Sequence, residues 1–336
     1  MFDYKGYSQE KIETLCDIKK ISSGIPWLFW TSEVYSFGRQ IREYGFFPNF
    51  LPLNIYSEHG MTILKVIQDH ELNNDAYCMF CHRKKRAELY KTLSSKPCYT
   101  FISPLIMYRR LHKIKQSKDA VGTLIFPAHT VPECIDKMNL DNYIAELKAL
   151  PEEFQPVCVS LHMHDIKKGI HKKYLEQGIP VYTAGHANDV RYAKRFYEVL
   201  KNFKYSMSND TGSYMVYSME MGIPFSIYGT FPQFYYENSP HVPNGHLNFD
   251  ELYDNYDNVL ELFRGNPTEI TSERQAFLEE FAGLKDGISR LEMCKILWTA
   301  YFKYLTQRNH LKDTLKYLKR YPLFFLRKDF WQQFFS

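Results

Sequence analysis

The chain has 336 residues, 45% of them hydrophobic and 24% charged, an ordinary globular balance that excludes disorder, collagen and coiled coil. The formal net charge is only +4, too small to point to nucleic acid, and no run of about 18 apolar residues is present to cross a bilayer. Length alone sets an expectation of about two domains.

In chain order, residues 8–20 predict a short polar helix, 25–31 a strand, 32–45 a helix ended by Gly45, and 51–56 a strand. Glu58, His59 and Gly60 follow that strand directly. A strand over 76–80, a basic helix over 83–93 and a strand over 99–102 complete a first α/β half. The polar stretch 113–120 is the expected linker. Strands are then predicted at 122–126, 156–161, 180–183, 205–207 and 224–228, with helices at 139–149, 166–177, 190–202 and 213–221. Strands alternating with helices predict parallel sheets. Residues 250–264 and 272–320 read as further helices.

Open parallel sheets bind ligands beyond the carboxyl ends of their strands. His59, His129, His162, His164 and His186 each stand a few residues past a predicted strand, so the fold should bring several of them to one crevice. Thr130 sits in the same strand-exit segment as His129. Ser208, Asn209, Asp210, Thr211, Gly212 and Ser213 lie between a strand and a helix. Such a turn offers N–H groups, hydroxyls and a positive helix end to a phosphate. Gly185 would allow close approach of a flat ligand such as a nucleobase. Glu58 beside His59 suggests a general base near neutral pH. His162, His164 and Asp165 lack the further Cys/His partners of a zinc site, so no metal is expected. Cys78-Met-Phe-Cys81-His82 matches the haem-attachment string, but no signal stretch opens the chain. The seven cysteines, odd in number and irregularly spaced, are read as reduced thiols of a cytoplasmic protein. No G-x-G-x-x-G, P-loop or G-x-S-x-G string occurs.

Two α/β halves, a phosphate-suited turn late in the second and a closing helix set resemble the GT-B glycosyltransferases. Glu58-His59-Gly60 is similar to the His-Gly motif of the CDP-glycerol glycerophosphotransferases, where the histidine is the base. His162-Met-His164 resembles the histidine motif of bacterial sialyl-, polysialyl- and Kdo-transferases, with the usual Pro absent here. The turn 208–213 followed by Gly222-Ile-Pro224 is similar to the family's phosphate turn, helix and strand entry, and Glu220 falls where many GT-B enzymes place an acid on the donor sugar.

The resemblance implies two Rossmann-like domains facing across a cleft: an acceptor domain over 1–115, a nucleotide-sugar domain over 120–265, and closing helices with a tail over 270–336. It implies an inverting, metal-independent glycosyltransferase of bacterial lipopolysaccharide or capsule synthesis, without a cofactor. Glu58 or His59 would be the base. His129, Thr130, His162, His164, Gly185, His186, residues 208–213 and Glu220 would hold the donor. The sialyl- and Kdo-type motif tilts the donor toward a CMP-sugar. A polyol-phosphate transferase on the same scaffold and a non-enzymatic binding or assembly protein are the alternatives. Residues 310–336 carry six basic residues against two acidic, interleaved with Leu, Phe and Trp. They suit an anionic membrane surface on the cytoplasmic side, hence a glycan or lipid-linked acceptor, or a helix packed back on the first half.

Overall fold

The computed structural model describes residues 2–21, 28–61, 64–236, 253–265, 267–306 and 312. The basic-aromatic tail at 310–336, the beginning of the strand expected at 25–31 and the end of the helix expected over 272–320 lie outside the described residues, apart from residue 312.

The second half is a five-stranded parallel sheet. Its strands are β4 (Thr123–Ile125), β6 (Val157–Ser160), β7 (Val181–Tyr182), β8 (Tyr205–Ser208) and β9 (Phe225–Ile227), in the spatial order β7-β6-β4-β8-β9. Leu124 sits between Cys158 and Ser206 at the centre. The order reverses between β4 and β8, and that switch point opens a crevice at the strands' carboxyl ends. The strands are short and buried on both faces, which is why they read as continuous apolar runs. Helices α6 (Leu140–Lys148), α7 (Met163–Lys167), α8 (Ile170–Glu176), α9 (Tyr192–Leu200) and α10 (Ser213–Glu220) connect them. The single helix expected over 166–177 is two, because Gly169 turns left-handed at φ +80°. An antiparallel pair, β5 (Cys134–Asp136) with β10 (Phe234–Tyr236), was not apparent from periodicity.

The first half is smaller. Three parallel strands, β1 (Tyr56–Ser57), β2 (Met79–Cys81) and β3 (Cys98–Thr100), pair in chain order. They are flanked by α2 (Phe37–Tyr44), the short α3 (Asp69–Leu72), α4 (Lys84–Leu93) and α5 (Pro104–Leu111). The described end of the expected strand at 25–31 is a single 3-10 turn, Trp30–Ser32. Phe37 and Ile41 of α2 are buried against Leu105 and Ile106 of α5, each contributing roughly 2 kcal/mol by burial.

The ends of the described chain cross over. Helix α1 (Gln9–Cys16) and the segment before it, expected in the first half, dock on the second: the Tyr7 N–H donates to Val181 O at 2.8 Å, and the Tyr4 hydroxyl to Asn202 O at 2.7 Å. Helices α11 (Tyr256–Phe263) and α12 (Ser272–Phe281) stay with the second half. Helix α13 (Arg290–Thr306) returns to the first, where Asn54 Nδ2 donates to Ala300 O at 3.1 Å and Phe47 packs edge-on against Trp298. Among the described residues, no helix is long and apolar enough to cross a membrane.

Candidate functional site

A cavity of about 500 Å³ lies between the halves at the switch point. The loops after β1, β4, β6 and β8 reach it, bringing His59, His129, His162, Asp210, Thr211, Gly212 and Ser213 to its wall. Aromatic side chains, among them Tyr35, Phe126, Tyr192, Phe234 and Tyr253, supply much of the rest. A mostly apolar cavity with a few convergent polar groups is the usual form of a small-molecule site.

His59 projects from the loop after β1, open to the cavity yet deep among protein atoms, with Trp30 alongside at 5.6 Å between rings. Burial and the nearby His70 lower its pKa to about 4, against an opposing pull from Glu71, so the ring is neutral at pH 7. Opposite it, His129 and His162 stack at 4.1 Å, 22° from parallel. His129 Nδ1 lies 3.1 Å from Thr130 O. A carbonyl can only accept, so Nδ1 carries the proton and Nε2 is left as the acceptor. His162 caps α7, its Nδ1 accepting from the His164 N–H, and burial holds its pKa well below the usual value.

Helix α10 points its N-terminus into the cavity. Its N-cap is Gly212, with no side-chain cap on the first N–H groups. A Cβ at Gly212 would stand 2.5 Å from the Tyr214 ring, so the turn needs glycine for close approach rather than for a special φ. Asp210 is held by the Tyr256 hydroxyl at 2.6 Å, and burial raises its pKa. Ser213 Oγ accepts from the Met61 N–H at 2.9 Å and donates to Met61 O. That bridge spans the cleft and fixes the His59 loop against the start of α10.

Other expected site residues stand outside the cavity wall. Glu58, expected as an alternative base, is buried beneath β1. Its carboxylate accepts from Arg86 Nε and from the His82 N–H, the latter at 2.6 Å. The same guanidinium holds Glu71 through both oxygens, at 2.6 and 2.8 Å, and donates to Val66 O. Glu58 is therefore an ion-pair member and not free to take an acceptor's proton. Glu220 ends α10 away from the cavity and pairs with Arg109 at 2.7 Å and Arg110 at 2.9 Å. Gly185, at φ +90°, makes its close approach to the chain itself: a Cβ there would lie 2.8 Å from Leu15 O. His186 is sealed under α1, its N–H on Leu15 O, and burial lowers its pKa to about 4. Thr130 is knotted to Asp165 and Lys168. Ser208 bonds Tyr214, and Asn209 ties Ala128 to Thr230. His164 sits beside His162, with ring centres 4.9 Å apart, but does not line the cavity.

Tyr35 was missed. Its hydroxyl lies 3.2 Å from His162 Nε2 across the cleft, and its N–H donates to Ala187 O at 2.6 Å. Tyr35 and Ser36 are both left-handed, at φ 57° and 62°. Nothing in the local sequence signals that conformation. Among the described residues, no cluster of three or more His, Cys, Asp or Glu is arranged to hold a metal ion.

No protein-family model matches the chain, and no curated protein matches it in sequence. Among solved structures, the wall teichoic acid polymerase TagF soaked with CDPG aligns at 11% identity and a TM-score of 0.40, over 89% of this chain and 94% of that one. The UDP-GlcNAc 2-epimerase from Neisseria meningitidis bound to UDP-GlcNAc aligns at 10% identity and 0.36, over 72% and 68%. A putative UDP-N-acetylglucosamine 2-epimerase from Listeria monocytogenes aligns at 9% and 0.36, over 78% and 70%. The chain's own topology is two parallel α/β units facing one cleft, with the last described helix returned to the first.

Proposed function

We propose that the chain is a transferase that moves a group, in the first instance a sugar, from a nucleotide-activated donor to a hydroxyl of a glycan or lipid-linked acceptor. One observation carries the reading. The cavity sets a free neutral imidazole, His59 of the first half, against the uncapped start of α10 and the stacked His129–His162 pair of the second. An imidazole can accept a proton there while a helix N-terminus stabilises the charge that develops on a leaving phosphate.

The proposed step is a direct displacement. The acceptor hydroxyl gives its proton to His59, its oxygen bonds to the donor's anomeric carbon from the face opposite the nucleotide, and the carbon–oxygen bond to phosphate breaks with its electrons on the phosphate. The configuration inverts. The first N–H groups of α10 receive the released charge. No metal or cofactor enters the proposal. Cytidine nucleotides are the donors to test first.

Thermal stability against CMP, CDP, UDP, GDP, ADP and NAD tests the reading. A ligand at 100 times its dissociation constant adds about 2.7 kcal/mol. One nucleotide raising the melting temperature is the expected result, and no response to any of them refutes the donor site. With the responding donor, His59→Ala should keep binding and lose about 10²-fold or more in turnover. Near-normal turnover would place the base elsewhere.

A further inference from the structure

The Tyr35 hydroxyl belongs to the first half's segment, yet it sits in the cavity among groups of the second. Its proton direction follows from its neighbours. The His164 N–H donates to His162 Nδ1 at 3.4 Å, so that nitrogen is the unprotonated one of the neutral ring. The proton of His162 is then on Nε2, which faces Tyr35 at 3.2 Å. Tyr35 Oη accepts it, and its own proton is left over. No described residue accepts that proton, and Tyr35 lines the cavity.

The backbone is a second, independent observation. Two consecutive non-glycine residues in the left-handed region persist only where the surroundings over-determine them, and such strain gathers at binding sites. Here Ala187 O holds the Tyr35 N–H, and Ser36 Oγ accepts from the Ala193 N–H at 3.1 Å. The Tyr35 ring is steadied by Tyr192, 4.9 Å away between centres. The strained turn thus delivers one oriented hydroxyl from one half into the other half's ligand site.

We propose that Tyr35 is a ligand-binding residue whose hydroxyl donates to an oxygen of a phosphate bound at the start of α10, with His162 fixing the direction of that donation. The proposal rests on the donor-site reading above and adds to it a residue from the opposite half. It makes the phosphate site complete only when both halves contribute.

The test compares wild type with Tyr35→Phe, which keeps the ring and removes the donor. Inorganic pyrophosphate and the nucleotides CMP, CDP, UDP and GDP are the probes, read by calorimetry, with histidine ring nitrogens followed by NMR. The expected result is an unliganded melting temperature close to wild type, affinity for pyrophosphate and the responding nucleotide about ten- to a hundredfold weaker, and His162 protonated on Nε2. Equal affinities in the two proteins overturn the role of Tyr35 while leaving the donor site standing. A His162 protonated on Nδ1 overturns it as well, because Tyr35 would then spend its proton on the ring. Wild type binding none of the probes overturns both readings. Should Tyr35→Phe fail to fold, the wild-type tautomer decides.

Discussion

Arg86 is the residue whose loss should be felt most widely in the first half. Its side chain is 4% exposed, and the carboxylates of Glu58 and Glu71 are 5% and 6% exposed. One guanidinium therefore pairs with two buried carboxylates and also binds Val66 O. Arg86→Met fills similar volume but leaves both carboxylates without the guanidinium that pairs with them, with only Arg83 still acting on Glu58 at longer range. Removing one partner of a buried pair costs about 3–5 kcal/mol, because the remaining charge is stranded. At ~2–4 °C per kcal/mol for a chain of this general size, the melting temperature should fall by about 6–20 °C. Arg86→Lys should lose less, since an ammonium can serve one carboxylate but cannot fork to both. The triple change Arg86→Met, Glu58→Gln, Glu71→Gln leaves no buried charge and should recover much of the loss. Urea denaturation at pH 7 measures all four proteins. A cost below about 1 kcal/mol for Arg86→Met, or a triple variant no better than the single, would refute the reasoning and return Glu58 to the candidates for base.

Acidification should destabilise the protein through its histidines. His186 has its pKa lowered to about 4, and His162 is well below its usual value, both first by burial. The unfolded chain takes up protons near pH 6.5, whereas folded His186 stays neutral until about 4, so stability is full above 6.5 and falls as pH drops toward 4, by up to ~1.4 kcal/mol per pH unit for His186, with buried His162 acting in the same direction. His186→Gln should flatten that slope in urea titrations at pH 7, 6 and 5, and a slope unchanged from wild type would count against burial as the cause. Glu220→Gln should cost about 1–3 kcal/mol by stranding Arg109 and Arg110, with nucleotide affinity unaltered; weakened affinity would put Glu220 back on the donor. Gly185→Ala, forced to φ +90° against Leu15 O, should destabilise by about 1–3 kcal/mol without touching affinity, and a loss of affinity at intact stability would reinstate the nucleobase reading.

The second half was legible because its elements are regular: apolar runs, helical spacing, and glycines such as Gly178 at the exits. The first half was harder to read at its entry, which is 3-10 turns rather than a strand and a continuous helix. Their shared place just past strand ends is what brings His59, His129, His162 and the 210–213 turn to one cavity wall. What failed, failed for reasons of direction. Adjacent side chains leaving a strand point to opposite faces, so Glu58 goes down to Arg86 while His59 goes into the cavity. Helix α10 rises about 12 Å over its eight residues, which carries Glu220 away from the end that faces the cavity. Gly185 and His186 follow an edge strand, and α1 arrives from the chain's beginning to cover them. Tyr35 depends on a partner 127 residues away and on a left-handed backbone that no propensity favours.

The charges near the cleft are divided in a way that bears on how the base would work. The buried carboxylates of the first half are taken up by arginine: Glu33 by Arg42, Glu58 and Glu71 by Arg86. None pairs directly with His59; the pull of Glu71 is outweighed by burial, and a pKa of about 4 leaves the ring neutral but weakly basic. A base of that strength suits the empty cavity poorly and the occupied one better, because a phosphate beside α10 brings negative charge within a few ångströms and raises the pKa of every imidazole that faces it. Donor binding should therefore be accompanied by net proton uptake near pH 6. Calorimetry in two buffers of different ionisation heat would detect it as a difference in observed enthalpy. Identical heats in the two buffers would mean that the donor does not activate His59, and that the acceptor's proton must leave by another group.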